Sequence, residues 1–282
     1  MSKLVDLHTH TTHSDGTLSV SELLKFASTR NISALAITDH DTVDGCKEAE
    51  NINTYGVEVI NGTELSCFYG DTEIHLLGFN FDIYDQRLNE HCLFFKKDRE
   101  RRAIDTLNRI KKVDDRVDID EFLEQNQNTY ITRVHMAKYL ISKNIVKKGE
   151  NPYYKYLANE VGYIVEKYKF TVKDAIEMIK NAGGFTSIAH PGHFLTNTKL
   201  YDLIRFGMRG IEVFHPIHNK GQKKRFLSLA NQYQLMVTGG SDYHGSRFYD
   251  NKNFGVYGIG EQYLAKMKKH GFDLRIGQES LF

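Results

Sequence analysis

Two hydrophobic periodicities alternate along the chain. Short apolar runs at Lys3–His8 and Ala34–Thr38 predict strands. Between them, Ser19–Arg30 places Val20, Leu23, Leu24 and Ala27 on one helical face, and Ser19 and Glu22 have capping-box spacing. Val57–Gly62 and Glu73–Phe79 predict two more strands. A helix at Asp174–Ala182 is stopped by Gly183-Gly184. The alternation then continues, with strands at Phe185–Ala189, Gly210–Phe214 and Leu235–Gly239 and helices at Leu200–Phe206 and Lys220–Tyr233. Strands alternating with helices at this spacing predict parallel βα units.

The middle of the chain breaks this rhythm. From Asp85 to Lys169 it is charged, helical in pattern and poor in strand signals. Asp98–Val113 predicts a long basic amphipathic helix, and Asp118–Gln125 and Arg133–Lys143 shorter ones. The pattern therefore predicts a barrel-like α/β domain from residues 1–84 and 170–282, with residues 85–169 as a helical insertion or cap.

Composition narrows the class. The 282 residues can bury a substantial core, and no stretch reaches the roughly 18 apolar residues of a membrane span. Charge appears by Asp6 with no apolar segment before it, so no secretory signal is expected. Cys46, Cys67 and Cys92 are odd in number and scattered, which points to a reducing, cytoplasmic setting. A net charge of +1 argues against a long nucleic-acid footprint but permits a short oligonucleotide. The unusual count is 13 histidines, the commonest metal-ligating side chain.

Their placement matters more than their number. His8 and His10 close the first strand on one face, and Asp15 follows in the loop. His40 closes the second strand, flanked by Asp39 and Asp41. Glu64 follows the strand and residue before it, Val57–Thr63, and His75 lies on Glu73–Phe79. His190 and His193 follow Phe185–Ala189, Glu212 and His215 lie at Gly210–Phe214, and Asp242 and His244 follow Leu235–Gly239. Ligand types thus recur at strand ends, the face on which (β/α) barrels build active sites. Imidazole with carboxylate suits zinc, manganese or iron. Nine candidates are too many for one ion and imply two or three that share a carboxylate, an arrangement suited to polarising a hydroxide and neutralising a phosphoryl group. Asp39, Glu212 and His193 are expected to support ligands from behind. His13, His91, His218 and His270 are expected at the surface. Gly239-Gly240 predicts a tight turn that brings backbone close to the metals.

The strings Asp6-Leu7-His8-Thr9-His10 with Ser14-Asp15-Gly16, Ile37-Thr38-Asp39-His40-Asp41, Ala189-His190-Pro191-Gly192 and Gly240-Ser241-Asp242-Tyr243-His244-Gly245 resemble, in order and spacing, the four motifs of the polymerase and histidinol phosphatase (PHP) family. The resemblance implies a distorted (β/α)7 barrel with a trinuclear centre holding Mn2+, Fe2+ or Zn2+. It implies that His8, His10, Glu64 and Asp242 hold one ion. Glu64 would bridge to a second ion held by His75 and His190, with Asp15, His40 and His244 on the third. Asp15 stands where many members have His, as in a subgroup of small phosphoesterases. Thr132-Arg133-Val134-His135 and Gly210–Pro216 also resemble that subgroup. The resemblance thereby implies hydrolysis of nucleoside 3′,5′-bisphosphates or of the 5′ ends of short oligoribonucleotides. Arg133 would clamp phosphate, and His135 and His215 would contact phosphate or protonate the leaving oxygen. Alternatives are a phosphatase of histidinol phosphate or phosphotyrosine protein, and a metal-binding regulatory module without catalysis.

Overall fold

In the computed structural model, which describes residues 3–127 and 129–269, the alternation becomes one sheet of eight strands. These are β1 (Leu4–Thr9), β2 (Ile32–Ile37), β3 (Glu58–Tyr69), β4 (Thr72–Phe79), β5 (Phe185–Ile188), β6 (Gly210–Phe214), β7 (Met236–Gly239) and β8 (Ile259–Gly260). The sheet order is β7-β6-β5-β4-β3-β2-β1-β8. Pairs β1–β2, β2–β3, β5–β6 and β6–β7 are parallel, as the periodicity predicts. The expected seven strands gain an eighth, two residues long and antiparallel to β1.

The sheet curls until its ends meet. The Asp242 N–H donates to the His8 carbonyl and the His10 N–H to the Tyr243 carbonyl, both at 2.9 Å. Buried Asp6 stitches the same seam, its Oδ1 accepting from His8 N–H at 3.2 Å and Ser241 N–H at 3.0 Å. Gly240 makes the closure possible. A Cβ there would lie 2.4 Å from the His8 nitrogen. The Gly239-Gly240 pair therefore makes two close approaches, Gly240 to His8 and Gly239 to Phe214.

Two differences from the sequence expectation lie in β3 and β4. β3 does not stop at Gly62 but runs on through Glu64 to Tyr69. Gly62 marks a close approach, since a Cβ there would meet Thr38 Cγ2 at 2.7 Å and Ile37 O at 2.9 Å. β4 is antiparallel to both neighbours. It returns through the two-residue Gly70-Asp71 loop, with Gly70 at φ 59°.

Ten α-helices accompany the strands among the described residues. They are α1 (Val20–Ser28), α2 (Asp44–Ala49), α3 (Gln86–Lys111), α4 (Ile119–Gln125), α5 (Arg133–Ser142), α6 (Val172–Asn181), α7 (Asn197–Phe206), α8 (Lys220–Gln232), α9 (Asp250–Asn253) and α10 (Glu261–Lys269). The Ser19–Glu22 capping box is formed, and Val20, Leu23, Leu24 and Ala27 of α1 are buried, at about 1.5–3 kcal/mol for each Val or Leu. α3 starts twelve residues before the expected Asp98, because Asp85 Oδ1 accepts from Leu88 N–H and caps it there. The short α2 and a π-helical turn at Tyr153–Leu157 carry too little periodicity to be foreseen.

The chain divides into two compact units, Met1–Cys92 with Lys169–Phe282, and Leu93–Tyr168. The first holds the sheet and its core. The second has a core of its own, including Leu107, Phe122, Leu140 and Leu157. No helix among the described residues is long and apolar enough to cross a membrane. His270 lies outside the described residues.

Candidate metal centre

The seam between β1 and the segment after β7 brings ligand-type atoms of His8, His10 and Asp242 to one point, where Glu64 of β3 adds a fourth. His8 Nε2 lies 3.2 Å from Glu64 Oε2 and 3.4 Å from Asp242 Oδ1. His10 Nε2 lies 3.2 Å from each of the same two oxygens. A tetrahedron of ligands about 2.1 Å from its centre has edges of about 3.4 Å. The spacing therefore fits a metal ion, and so does the chemistry. His8 Nε2, His10 Nε2, His40 Nδ1 and Asp15 Oδ1 are buried and make no hydrogen bond, a costly arrangement that coordination would satisfy.

Hydrogen bonds fix how the rings present themselves. His8 Nδ1 lies 3.0 Å from Glu212 Oε1, so Nδ1 donates and the Nε2 lone pair faces the cluster. His244 Nδ1 donates to the Asp242 carbonyl at 2.9 Å and leaves Nε2 toward Asp15. His10 Nδ1 lies 3.4 Å from Ser14 Oγ, which donates to Asp39 Oδ1 at 2.6 Å. Asp39 thus supports His10 through Ser14 and also accepts from the Thr11 N–H and hydroxyl. Asp41 accepts from the Ser66 N–H.

Glu64 links the parts. Its Oε2 faces His8, His10 and His40, each at 3.2 Å. Its Oε1 faces His75 Nδ1 at 2.8 Å and His190 Nε2 at 2.9 Å. Glu64 and His75 do not sit at strand ends. They project from within β3 and β4, where His75 pairs with Ser66, two residues from Glu64. Asp15 gathers the remaining rings, His244 Nε2 at 3.2 Å and His40 Nε2 at 3.9 Å. His40 therefore stands between Glu64 and Asp15 and belongs to both groupings. Two of these residues have strained backbones, His190 at φ 27° and Asp242 at φ 52°. Such conformations persist where surrounding structure over-determines them, and they cluster at functional sites.

Charges follow from this crowding. Burial opposes the charged form of Glu64 and Asp242, but the surrounding imidazoles outweigh it and hold both carboxyls well below the usual range. His10 is pushed down by burial and up by Asp242 and Glu64, which carry it to about 9. Burial dominates at His40 and lowers it to about 3, leaving a neutral ring of the kind a metal takes.

The other expected residues divide. Glu212 is buried and supports His8, and its second oxygen accepts from the His190 N–H. His215 is buried with Nε2 3.5 Å from Asp242 Oδ2. Its Nδ1 accepts from the Ile217 N–H at 3.2 Å, so a neutral ring carries its proton on Nε2. Its Nε2 is buried without a hydrogen bond, and with His8 and Glu212 it forms a further group that could hold an ion. His193 is exposed on the turn after His190 and joins none of the ligand groups. His218, expected at the surface, is buried; Phe226 packs against it, Nδ1 donates to Val213 O, and Nε2 accepts from Gly192 N–H. His13 is half-buried and paired with Glu48 at 2.6 Å, and half-buried His91 packs on Phe170. Arg133 and His135 belong to the second unit. Arg133 donates to Asn159 Oδ1, and His135 Nδ1 completes the capping box of α5 with Thr132.

Arg247 was not foreseen. Its Nη1 lies 2.8 Å from Asp242 Oδ2. It follows a ligand string but no apolar run, so only its place three residues after His244 marks it.

The chain resembles known proteins over most of its length. The model of the PHP domain family matches residues 6–195. A phosphoribosyl 1,2-cyclic phosphate 1,2-diphosphodiesterase from Eggerthella lenta is 31% identical over 245 residues, 85% of this chain and 94% of that protein. A 5′-3′ exoribonuclease from Haemophilus influenzae is 31% identical over 86% of this chain and 91% of its own. A 3′,5′-nucleoside bisphosphate phosphatase from Chromobacterium violaceum is 29% identical over 85% and 87%. A solved structure from Bifidobacterium adolescentis, described as that of a metal-dependent phosphoesterase, superposes with a TM-score of 0.85 at 27% identity, covering 97% of this chain and 98% of that one.

Proposed function

The chain belongs to the PHP domain family and is a metal-dependent phosphoesterase, and from that premise we propose that it hydrolyses phosphoesters on the ribose of nucleoside 3′,5′-bisphosphates or at the 5′ end of short oligoribonucleotides. The observation that carries the reading is Glu64, whose two oxygens face five imidazoles in a buried cluster. We assign the nine residues His8, His10, Asp15, His40, Glu64, His75, His190, Asp242 and His244 to two or three divalent ions, Mn2+, Fe2+ or Zn2+. When bound, these ions would supply water activation and charge neutralisation at the phosphoryl group.

The chain's own residues supply the rest. Glu212 and the Ser14–Asp39 pair hold His8 and His10 in the tautomers that face the cluster. His215 carries a proton on Nε2 beside Asp242, suited to the leaving oxygen as the P–O ester bond breaks and the bond from water to phosphorus forms. Arg133 and His135 enter the proposal as phosphate contacts through the sequence resemblance. A cytoplasmic setting accords with the free thiols of Cys46, Cys67 and Cys92.

A substrate panel with Mn2+ tests this. Adenosine 3′,5′-bisphosphate and short 5′-phosphorylated RNA should be turned over with higher kcat/KM than ribose 1,2-cyclic phosphate, histidinol phosphate or a phosphotyrosine peptide. Preference for any of the last three would overturn the nucleotide assignment.

A further inference from the structure

Between the ligand His244 and α9, residues 245–249 form a loop tied at both ends. Buried Asp250 accepts from the His244 N–H at 3.3 Å and the Arg247 N–H at 3.0 Å, and its own N–H donates to the Arg247 carbonyl at 3.1 Å. Two neighbouring side chains leave this turn for different surroundings. Arg247 reaches back to the cluster, with Nη1 2.8 Å from Asp242 Oδ2 and 3.3 Å from the Asp242 carbonyl. Phe248 is 98% exposed, the most exposed large apolar side chain among the described residues, and touches the Tyr249 ring edge-on at 5.1 Å between centroids.

An exposed phenylalanine on a mobile tail would mean little. This one sits on a pinned turn, one residue and so about 3.8 Å of backbone from an arginine that reaches a metal-ligand carboxylate. A guanidinium carries five N–H donors in a fork that matches phosphate. Both contacts to Asp242 use Nη1 alone. An aromatic ring facing water offers the platform on which bases of any sequence stack.

We propose that Arg247 and Phe248 form a two-part substrate clamp, in which the guanidinium holds a phosphate oxygen and the phenyl ring stacks on the nucleobase. The clamp rests on the nucleotide reading above and sharpens it. It makes the base, as well as the ribose phosphate, part of what is recognised. Stacking would be tolerant of base identity, so purine and pyrimidine nucleotides should differ little in any contact made by Phe248.

The test compares a nucleotide with an abasic phosphoester, adenosine 3′,5′-bisphosphate against ribose 5-phosphate, in the Mn2+-loaded enzyme. Phe248→Ala should lower the ratio of kcat/KM for nucleotide over abasic ester by about five- to a hundredfold, chiefly through KM for the nucleotide. Phe248→Trp should keep the ratio within about twofold of wild type, since the stacking face is retained. Arg247→Ala should raise KM for both substrates by roughly tenfold or more, with partial recovery in Arg247→Lys. An unchanged ratio in Phe248→Ala, with nucleotides still cleaved by wild type, overturns the base platform and leaves the nucleotide reading standing. A wild-type enzyme that ignores nucleotides while cleaving other phosphoesters overturns both. If Arg247→Ala lowers kcat alone, the guanidinium only holds Asp242 in place and its phosphate role is overturned.

Discussion

The seam and the hairpin supply the same site in different ways. At the seam, β1 meets the segment after β7, and His8, His10 and Asp242 are locked by backbone hydrogen bonds and buried supports. At the β3–β4 hairpin, Glu64 and His75 project from the middle of paired strands. Seam rings point unpartnered nitrogens inward, whereas His75 retains about a quarter of its side-chain surface in contact with solvent. The contrast teaches that one site can combine a preorganised half with a half that solvent reaches. Glu64 is the joint between them.

Three measurements would break or sharpen that contrast. The largest effect is expected at Asp242→Ala, which removes a proposed seam ligand and leaves His8 and His10 with Glu64 alone of the two carboxylates they share. Its kcat/KM should fall by about a thousandfold or more, and excess Mn2+ should not restore it. His75→Ala, on the solvent-reached side, should lose about tenfold less, and excess Mn2+ should recover much of the loss by mass action. Equal losses, or rescue of both by excess metal, would erase the distinction.

Next comes the support behind the seam. Glu212→Gln keeps the shape but weakens the bond that fixes His8. Metal affinity by titration should drop by about 10–100-fold, with the thermal unfolding of the metal-loaded protein little changed at saturating metal. An unaltered affinity would reduce Glu212 to a structural residue.

The smallest effect is on protons. His10 is raised to about 9 in the metal-free protein, so its ring is charged at pH 7.5. Ion binding must then release that proton, and affinity should rise with pH up to about 9. The sign for folding runs the other way. The raised value means the contribution of His10 to metal-free stability is fully present below the unfolded value near 6.5 and is lost as pH rises through 9. Calorimetric titration in two buffers of different ionisation enthalpy should give different apparent heats. Identical heats would mean that no proton leaves.

The seam was legible in the sequence because its ligands come as close-set strings after apolar runs, His8 and His10 on β1, Asp242 and His244 after β7. The hairpin was only half legible. Glu64 and His75 were visible as residues, but Gly62 looked like a strand end when it marks a close approach to β2. The Gly70-Asp71 turn that makes β4 antiparallel has no counterpart in a parallel βα pattern. Asp39 was recognised, but its route through Ser14 depends on a fold of the loop that puts Gly16 against the His10 carbonyl. His218 and Arg247 carry no periodic signal, and their roles exist only in three dimensions.

Asp6 bonds across to Ser241 over 235 positions of chain. The most preorganised part of the site therefore has a very high contact order. Closing so long a loop is entropically costly until the intervening strands have shortened it. During synthesis, His8 and His10 leave the ribosome long before Asp242 exists to join them. The barrel consequently acts as a timer. The growing chain holds only fragments of the candidate metal site, and the proposed ligands come together when the sheet closes.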